Sequence, residues 1–396
     1  MADRLDPILP PSYLGILGGG QLGRMFTQVA QDMGYKVCVL DPDPSSPAGA
    51  IAELHLQAEY LDEVALKKMA EHCQSVSTEF ENVPAQALDY LSSLGVYVAP
   101  TSTGVSVAQN RIAEKKFLAT WEDQAGIGPA PHWVIEHVED MSHTPDHLLP
   151  GILKTARMGY DGKGQRAVQT KEELKQAWND FGHVPCVLEK KLTLKYEVSA
   201  LVVRGHDDEV VAYPVAENLH HHGILHQSIV PSPSIDEKTE RRIINAASEI
   251  IRRLEYVGVL CIEFFILEDG SVVSNEIAPR PHNSGHHTMD SCVTSQFEQQ
   301  VRAMARLPLG STKLLSPVVM LNILGDIWFT AQAKSSSWRA PLWHEVLKNP
   351  SAKLHLYGKA EAKLGRKMAH INFLAARIED ALKSSDEASE ILGIEI

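Results

Sequence analysis

The sequence predicts three successive segments: a parallel α/β domain over residues 1–110, an α+β region over 111–310, and a small β-rich segment over 311–396. Three observations carry that division. Short apolar runs alternate with helical patterns in the first segment, as in a parallel sheet with crossover helices. Beyond it, strand-like runs follow one another and the helices stand apart, which is how antiparallel pairing reads. Pro100-Thr101-Ser102-Thr103-Gly104 lies between the two patterns as a turn-rich boundary.

Taken in order, Tyr13–Leu17 reads as a strand, Gln21–Asp32 as a helix and Lys36–Leu40 as the next strand. A helix over 62–72 leads to a strand over 75–78. A helix over 84–93 follows, with Pro84 in its first turn, and then a strand over 96–98. The second region begins with a helix over 111–124. It continues with strands at Gly151–Thr155, Cys186–Lys190, 196–203 and 209–214, interrupted by one helix over 171–181. A long helix over 236–254 precedes two facing runs, 257–267 and 271–277, with Asp269-Gly270 between them. The last segment holds a Ser-rich loop over 334–337, strands near 354–357 and 368–373, and a terminal amphipathic helix.

Composition narrows the function classes. The chain of 396 residues is 44% hydrophobic and 22% charged, an ordinary globular balance. A net charge of −13 argues against a nucleic-acid binder, which would carry a basic face. The five cysteines (Cys38, Cys73, Cys186, Cys261, Cys292) show no C-x-x-C spacing, as expected of reduced thiols in a cytoplasmic protein. Neither a signal peptide nor a membrane span is expected, because the first twelve residues lack an apolar core and the longest apolar run is interrupted by Glu263.

The most telling pair is Glu263 and Glu276. Asp-Gly favours a two-residue hairpin loop. Such a loop pairs Glu268 with Ser271 and brings Glu263 opposite Glu276, on a face shared with Phe265, Leu267, Val272 and Ser274. Opposed like charges destabilise a half-buried face, and one carboxyl would have to take up a proton. A divalent cation between them removes the conflict, and oxygen ligands point to magnesium or manganese. Asn275-Glu276 runs into Ala278-Pro279-Arg280-Pro281-His282-Asn283-Ser284-Gly285, where two prolines hold the chain extended and fix Arg280 and His282 beside the acids. An Arg at such a place suits an anionic oxyacid.

Two glycine loops differ in what they imply. Gly18-Gly19-Gly20-Gln21-Leu22-Gly23 satisfies G-x-G-x-x-G between a strand and a helix, with Asp41 ending the next strand. Its amides can hold a phosphate or other polar ligand, so a Rossmann-like NAD site is a competing reading. The second loop runs Arg157-Met158-Gly159-Tyr160-Asp161-Gly162-Lys163-Gly164-Gln165, after Lys154 at a strand end. It forms a mobile flap whose amides and lysines can wrap phosphate. Glu189-Lys190-Lys191-Leu192, with Glu197 beyond, offers a backbone edge for a base and a carboxylate for a ribose. His220-His221-His222, with His226, reads as an exposed loop before Gly223. Tyr357-Gly358-Lys359 and Gly365-Arg366-Lys367 place three cations on neighbouring strands, where a phosphomonoester would meet them.

Together these segments resemble the ATP-grasp superfamily, and within it the 5-(carboxyamino)imidazole ribonucleotide synthase family of purine biosynthesis (the ATPase subunit of phosphoribosylaminoimidazole carboxylase). The resemblance runs from Gly15-Ile16-Leu17-Gly18-Gly19-Gly20-Gln21-Leu22-Gly23-Arg24-Met25, through Thr78-Glu79-Phe80-Glu81, the flap and Asn275 to His286, to Gly365-Arg366-Lys367-Met368. Ala369 and His287 depart from the family's usual Gly and aromatic, and the 189–197 segment is more basic than usual.

The resemblance implies an ATP-grasp fold whose flap subdomain spans about 130–205, with ATP as co-substrate. Arg111, Lys154, Gly159, Tyr160, Asp161, Gly162, Lys163, Gly164, Gln165, Glu189, Lys190, Lys191, Leu192, Glu197, His220, Asn275 and Glu276 would contact the nucleotide. Glu263 and Glu276 would hold Mg2+ or Mn2+. Gln21, Leu22, Glu79, Lys359, Arg366 and Lys367 would bind aminoimidazole ribonucleotide. The implied reaction is carboxylation of that ribonucleotide by bicarbonate through carboxyphosphate. Arg280 would hold the oxyacid, His282 or Asp161 would take the amine's proton, and Tyr160 with Asp161 would close the flap. A homodimer, a hand-off to a downstream mutase and no fused mutase domain are further expectations. An NAD-dependent dehydrogenase, another ATP-grasp ligase and a silent nucleotide-binding protein are the alternatives.

Overall fold

The computed structural model describes residues 6–80, 82–157, 164–329 and 339–394. Among them the strands form three sheets. The first is parallel throughout, with Tyr13–Leu17 at its centre between Lys36–Leu40 and Cys73–Thr78, and Leu54–Leu56 and Tyr97–Val98 at its edges. Its central strands are buried on both faces, which is why they read as unbroken apolar runs. Helix Gln21–Asp32 packs on one side, and helices Glu63–His72 and Ala85–Ser93 close the other. The Asp62 carboxylate accepts from the Ala65 amide and starts the second of these. Pro84 sits at the N-cap of the third, one position before the first turn expected for it.

The second sheet is small and antiparallel, in the order His132–Ile135, Cys186–Lys190, Gly151–Thr155, Gln165–Val168. The glycine flap joins its last two strands. Residues 158–163, with Gly159, Tyr160, Asp161, Gly162 and Lys163, lie outside the described residues, as do Glu81 and the Ser-rich loop.

The third sheet is the largest and antiparallel. It runs Val272–Ala278, Gly258–Leu267, Leu194–Arg204, Ala216–His221, Ile224–Val230, Val318–Leu324, Lys367–Leu374, Ala352–Leu356. The C-terminal strands are therefore hydrogen-bonded onto the central sheet through Ile224–Val230 and Val318–Leu324, so one sheet spans both segments. Helix Glu237–Arg253 covers it, burying Ile243, Ala246, Ala247, Ile250 and Ile251 at helical spacing against Ile262, Phe264 and Ile277.

Several expectations need correction. The helix over 111–124 breaks after Thr120, leaving Arg111–Thr120 and a short Glu122–Ala125 turn. The Pro100–Gly104 boundary runs into a helix, Ser102–Ala108. Leu54–Leu56, His132–Ile135 and the Ala216–His221/Ile224–Val230 hairpin were not foreseen. His220 and His221 end a strand in that hairpin and do not lie in an exposed loop.

The turn at Asp269-Gly270 also differs. Leu267 N–H bonds Ser271 O and Gly270 N–H bonds Leu267 O, so the loop has three residues and Gly270 takes φ +80°. Phe264 then pairs with Ser274 and Ile266 with Val272, which puts Val272 and Ser274 on the core face, away from Glu263, Phe265 and Leu267. A bulge follows, after which Ile262 pairs with Ile277. Asn275 and Glu276 together face Glu263, and so the two acids meet after all.

Candidate active site

A cleft of about 520 Å³ opens between the small sheet and the large one. Arg111, Lys154, Gln165, Glu189, Lys190, Lys191, Leu192, Glu197, His220, Glu263, Asn275, Glu276, Arg280, His282 and Lys367 line it. These residues come from widely separated parts of the chain.

The floor is an ion-pair lattice. The buried Glu189 carboxylate bridges Lys154 Nζ at 2.7 Å and Lys115 Nζ at 3.0 Å. Burial works against its charge, yet the two lysines hold it down to about 2. Lys115 is fully buried and also donates to the Asn275 carbonyl at 2.7 Å. Arg111 Nη1 meets Glu276 Oε2 at 3.0 Å. Burial again opposes the charge on Glu276, while Arg111 and Lys154 keep its pKa below the usual carboxylate value. Glu263 goes the other way, pushed up to about 7 by burial and by Glu276. Of the opposed acids, one is thus ionised and the other readily protonated, as their opposition requires.

Asn275 Nδ2 donates to Glu263 Oε2 at 3.2 Å, and Asn275 Oδ1 is buried with no partner among the described residues. Two carboxylates beside an unused amide oxygen fit a hard divalent cation. Among the described residues no three His, Cys, Asp or Glu side chains group to hold a metal by themselves, so substrate oxygens and water would complete the shell.

Sequence reasoning missed Glu114 and Lys115. They sit three and four residues after Arg111, so all three share one helix face. Glu114 Oε1 accepts the Ile277 amide at 2.5 Å, and burial raises its carboxyl to about 7. The signal was available: charges at i, i+3 and i+4 on a helix that must also bury a face.

On the Arg280 side, His282 Nε2 lies 3.5 Å from Glu263 Oε1 and His220 Nδ1 lies 3.1 Å from Glu197 Oε2. The Glu197 interaction raises His220 against the effect of burial. His282 is held well below the ordinary histidine value by burial and by Arg280.

The first glycine loop is filled by the protein itself. Gly19 N–H donates to Asp41, and Gly20 and Gly23 N–H both donate to Glu79, each at 2.6 Å. A Cβ at Gly18 or Gly20 would come within 2.6 or 2.7 Å of the Glu79 side chain. The glycines therefore accommodate a buried carboxylate plug, and a pyrophosphate has no place there. This removes the dehydrogenase reading and engages Glu79 with the loop. Leu22 is buried beneath it. Gln21 Oε1 instead accepts from Lys359 Nζ at 2.5 Å, and Lys359 also donates to Lys367 O at 2.6 Å. Lys359 and Arg366 line a second hollow of about 280 Å³ with Asp43, Ser45 and Lys363, whereas Lys367 faces the main cleft.

Residues 12–109 match the ribonucleotide synthetase preATP-grasp domain, 121–297 the ATP-grasp domain and 318–384 the phosphoribosylaminoimidazole carboxylase C-terminal domain. The N5-carboxyaminoimidazole ribonucleotide synthase of Bacillus subtilis (strain 168) is 42% identical over 368 residues, covering 93% of this chain and 92% of that protein. A crystal structure of N5-carboxyaminoimidazole ribonucleotide synthetase with ADP superposes with a TM-score of 0.89 at 40% identity, covering 98% and 99% of the two chains. The Aspergillus clavatus synthase with ADP and 5-aminoimidazole ribonucleotide gives a TM-score of 0.84 at 30% identity, over 97% and 99%.

Proposed function

The chain belongs to the N5-carboxyaminoimidazole ribonucleotide synthase family of ATP-grasp enzymes, and from that premise we propose how its cleft divides the work. The protein is an ATP-dependent ligase that carboxylates 5-aminoimidazole ribonucleotide in purine biosynthesis. ATP lies between the two sheets, with its base and ribose along Glu189 to Leu192, Glu197 and His220 and its phosphates toward Lys154, Arg111 and the flap over 159–165. Glu263, Asn275 and Glu276 would hold Mg2+ or Mn2+, which when bound would neutralise the β- and γ-phosphates.

A bicarbonate oxygen attacks the γ-phosphorus, ADP leaves, and carboxyphosphate forms. Bicarbonate is a weak nucleophile, so charge neutralisation and placement by Arg280 carry the step. The ribonucleotide's amine then takes up the carboxyl group, either directly from carboxyphosphate or from CO2 released when carboxyphosphate splits, and phosphate leaves. A base is needed for the amine's proton, and His282 and Asp161 are the two candidates. Lys359, Arg366 and Lys367 receive the 5′-phosphate, with Gln21 keeping Lys359 in place. Closure of the flap over Tyr160 and Asp161 excludes water from carboxyphosphate.

The observation that carries this reading is the convergence of the paired acids, Arg280, His282, Lys154 and Lys367 on one cleft. Incubation with ATP, labelled bicarbonate and 5-aminoimidazole ribonucleotide should place the label on the ribonucleotide's exocyclic nitrogen with equimolar ADP. ATP turnover indifferent to the ribonucleotide, with no labelled product, would overturn it. We further propose lobes at 1–110, 111–310 and 311–396, a cytoplasmic homodimer, and hand-off of the product to a mutase. Among the described residues no helix is long and apolar enough to cross a membrane.

A further inference from the structure

Behind His282 a line of buried polar side chains crosses three adjacent strands of the large sheet. Ser228 Oγ donates to Asn218 Oδ1 at 2.7 Å, Asn218 Nδ2 donates to Ser199 Oγ at 3.0 Å, and Ser199 Oγ donates to Ser284 Oγ at 2.7 Å. Ser284 Oγ then stands 2.8 Å from His282 Nδ1. Ser199, Ser228 and Ser284 are at most 1% exposed and Asn218 is 4% exposed, so water does not compete for these bonds. The Cys261 thiol, kept protonated by burial, also lies beside Ser284, and its sulfur is a weaker acceptor than an imidazole nitrogen.

The direction of this line is fixed at its far end by the backbone. The Ser284 amide points at His282 Nδ1 at 3.3 Å, and a backbone N–H can only donate. Nδ1 must therefore be an acceptor. Ser284 has received the Ser199 hydrogen, so its own hydrogen goes to the same nitrogen. The remaining ring nitrogen, Nε2, carries the imidazole's proton and faces Glu263 and the cleft.

We propose that Ser228, Asn218, Ser199 and Ser284 are positioning residues that lock His282 as the Nε2–H tautomer, so that it donates a hydrogen bond to the oxyacid instead of accepting the amine's proton. This deepens the reading above and rests on it for the identity of the oxyacid. Its chemistry is that of an electrophilic donor: Nε2–H beside the Arg280 guanidinium meets the negative oxygens of bicarbonate or carboxyphosphate. A ring whose Nδ1 lone pair is engaged and whose cleft-facing nitrogen is already protonated has no site for a further proton.

The test is spectroscopic and needs no substrate. Full-length protein labelled with 15N-histidine should show, at neutral pH, one ring with an unprotonated Nδ1 and a protonated Nε2 whose signals vanish in His282→Gln and shift in Ser284→Ala. The opposite tautomer, or two protonated nitrogens, would overturn the proposal. In kinetics, Ser199→Ala and Ser284→Ala should lower kcat by about tenfold or more while the KM for ATP stays within about twofold. Full kcat in a folded Ser284→Ala protein would equally count against it. If either variant fails to fold, the wild-type spectrum alone decides. The tautomer is read on the free protein, so its failure would leave carboxylation standing, and failure of the labelled-bicarbonate assay would leave the tautomer standing.

Discussion

Lys115 and Arg280 show how differently single cations are used in one cleft. Lys115 is buried between Glu189 and the Asn275 carbonyl, where it holds the floor together and has no room for substrate. Lys115→Met should destabilise the protein by about 3 kcal/mol, because Glu189 would keep only Lys154 against its burial. Urea denaturation would check this, and an unchanged midpoint would show that Lys154 suffices. Arg280 lines the open cleft beside His282. Arg280→Ala should lower kcat/KM by roughly a hundredfold, about 3 kcal/mol, with little change in stability. Arg280 was legible because two prolines and a neighbouring acid pair surround it in sequence. Lys115 was not, since a lysine is almost never wholly buried and its partners lie on distant strands.

At the scale of the element, the hairpin of Gly258–Leu267 and Val272–Ala278 combines two irregularities that cancel. The third loop residue shifts the register by one, and the bulge at Asn275-Glu276 shifts it back. The expected facing of Glu263 and Glu276 holds for that reason, while the expected companions Val272 and Ser274 fall on the other face. Asp-Gly signals a tight turn, but nothing in the sequence says whether Glu268 joins it or where a bulge will form. The two events can be separated. Gly270→Ala should cost about 1 kcal/mol of stability, since φ +80° strains alanine and nothing lies within 4 Å of the added carbon. Turnover should be unaffected, because the bulge sets the acids independently of the loop. A large loss of activity at intact stability would mean that the turn itself aligns them. The first glycine loop teaches a related lesson: the pattern correctly located a strand-to-helix crossing, but Glu79 and Asp41, far along the chain, decide what its amides bind.

Over the whole molecule, the large sheet joins the central and C-terminal segments, and the joint is rich in buried histidines. His286 lies against His370, which stacks on His355, while Tyr357 meets His370 and Asp290 meets His355. This joint could not be read from the sequence, since it depends on which strands become neighbours in the sheet. Burial holds His282, His286, His287 and His370 below the ordinary histidine value, so they stay neutral in the folded chain. Unfolded, each takes up a proton below about pH 6.5. The unfolded state then binds more protons, and this part of the stability is present above that pH and lost as pH falls. Glu114 and Glu263 act in the opposite sense. Raised to about 7, they are protonated in the folded chain while ionised in the unfolded one, and their contribution is lost as pH rises toward 7. Near pH 5.5 nearly four protons on the unfolded side oppose about two on the folded side, a net slope of roughly 2 kcal/mol per pH unit. Above pH 6.5 the histidine and carboxyl contributions are similar in size and opposite in sign, and they nearly cancel. Stability of the ligand-free protein should therefore fall from pH 6.5 to 5.5 and change little from 6.5 to 8. Denaturation midpoints across that range would show it. A flat profile on the acid side would mean that these imidazoles accept protons without unfolding the joint, and that the two segments part more easily than their shared sheet implies.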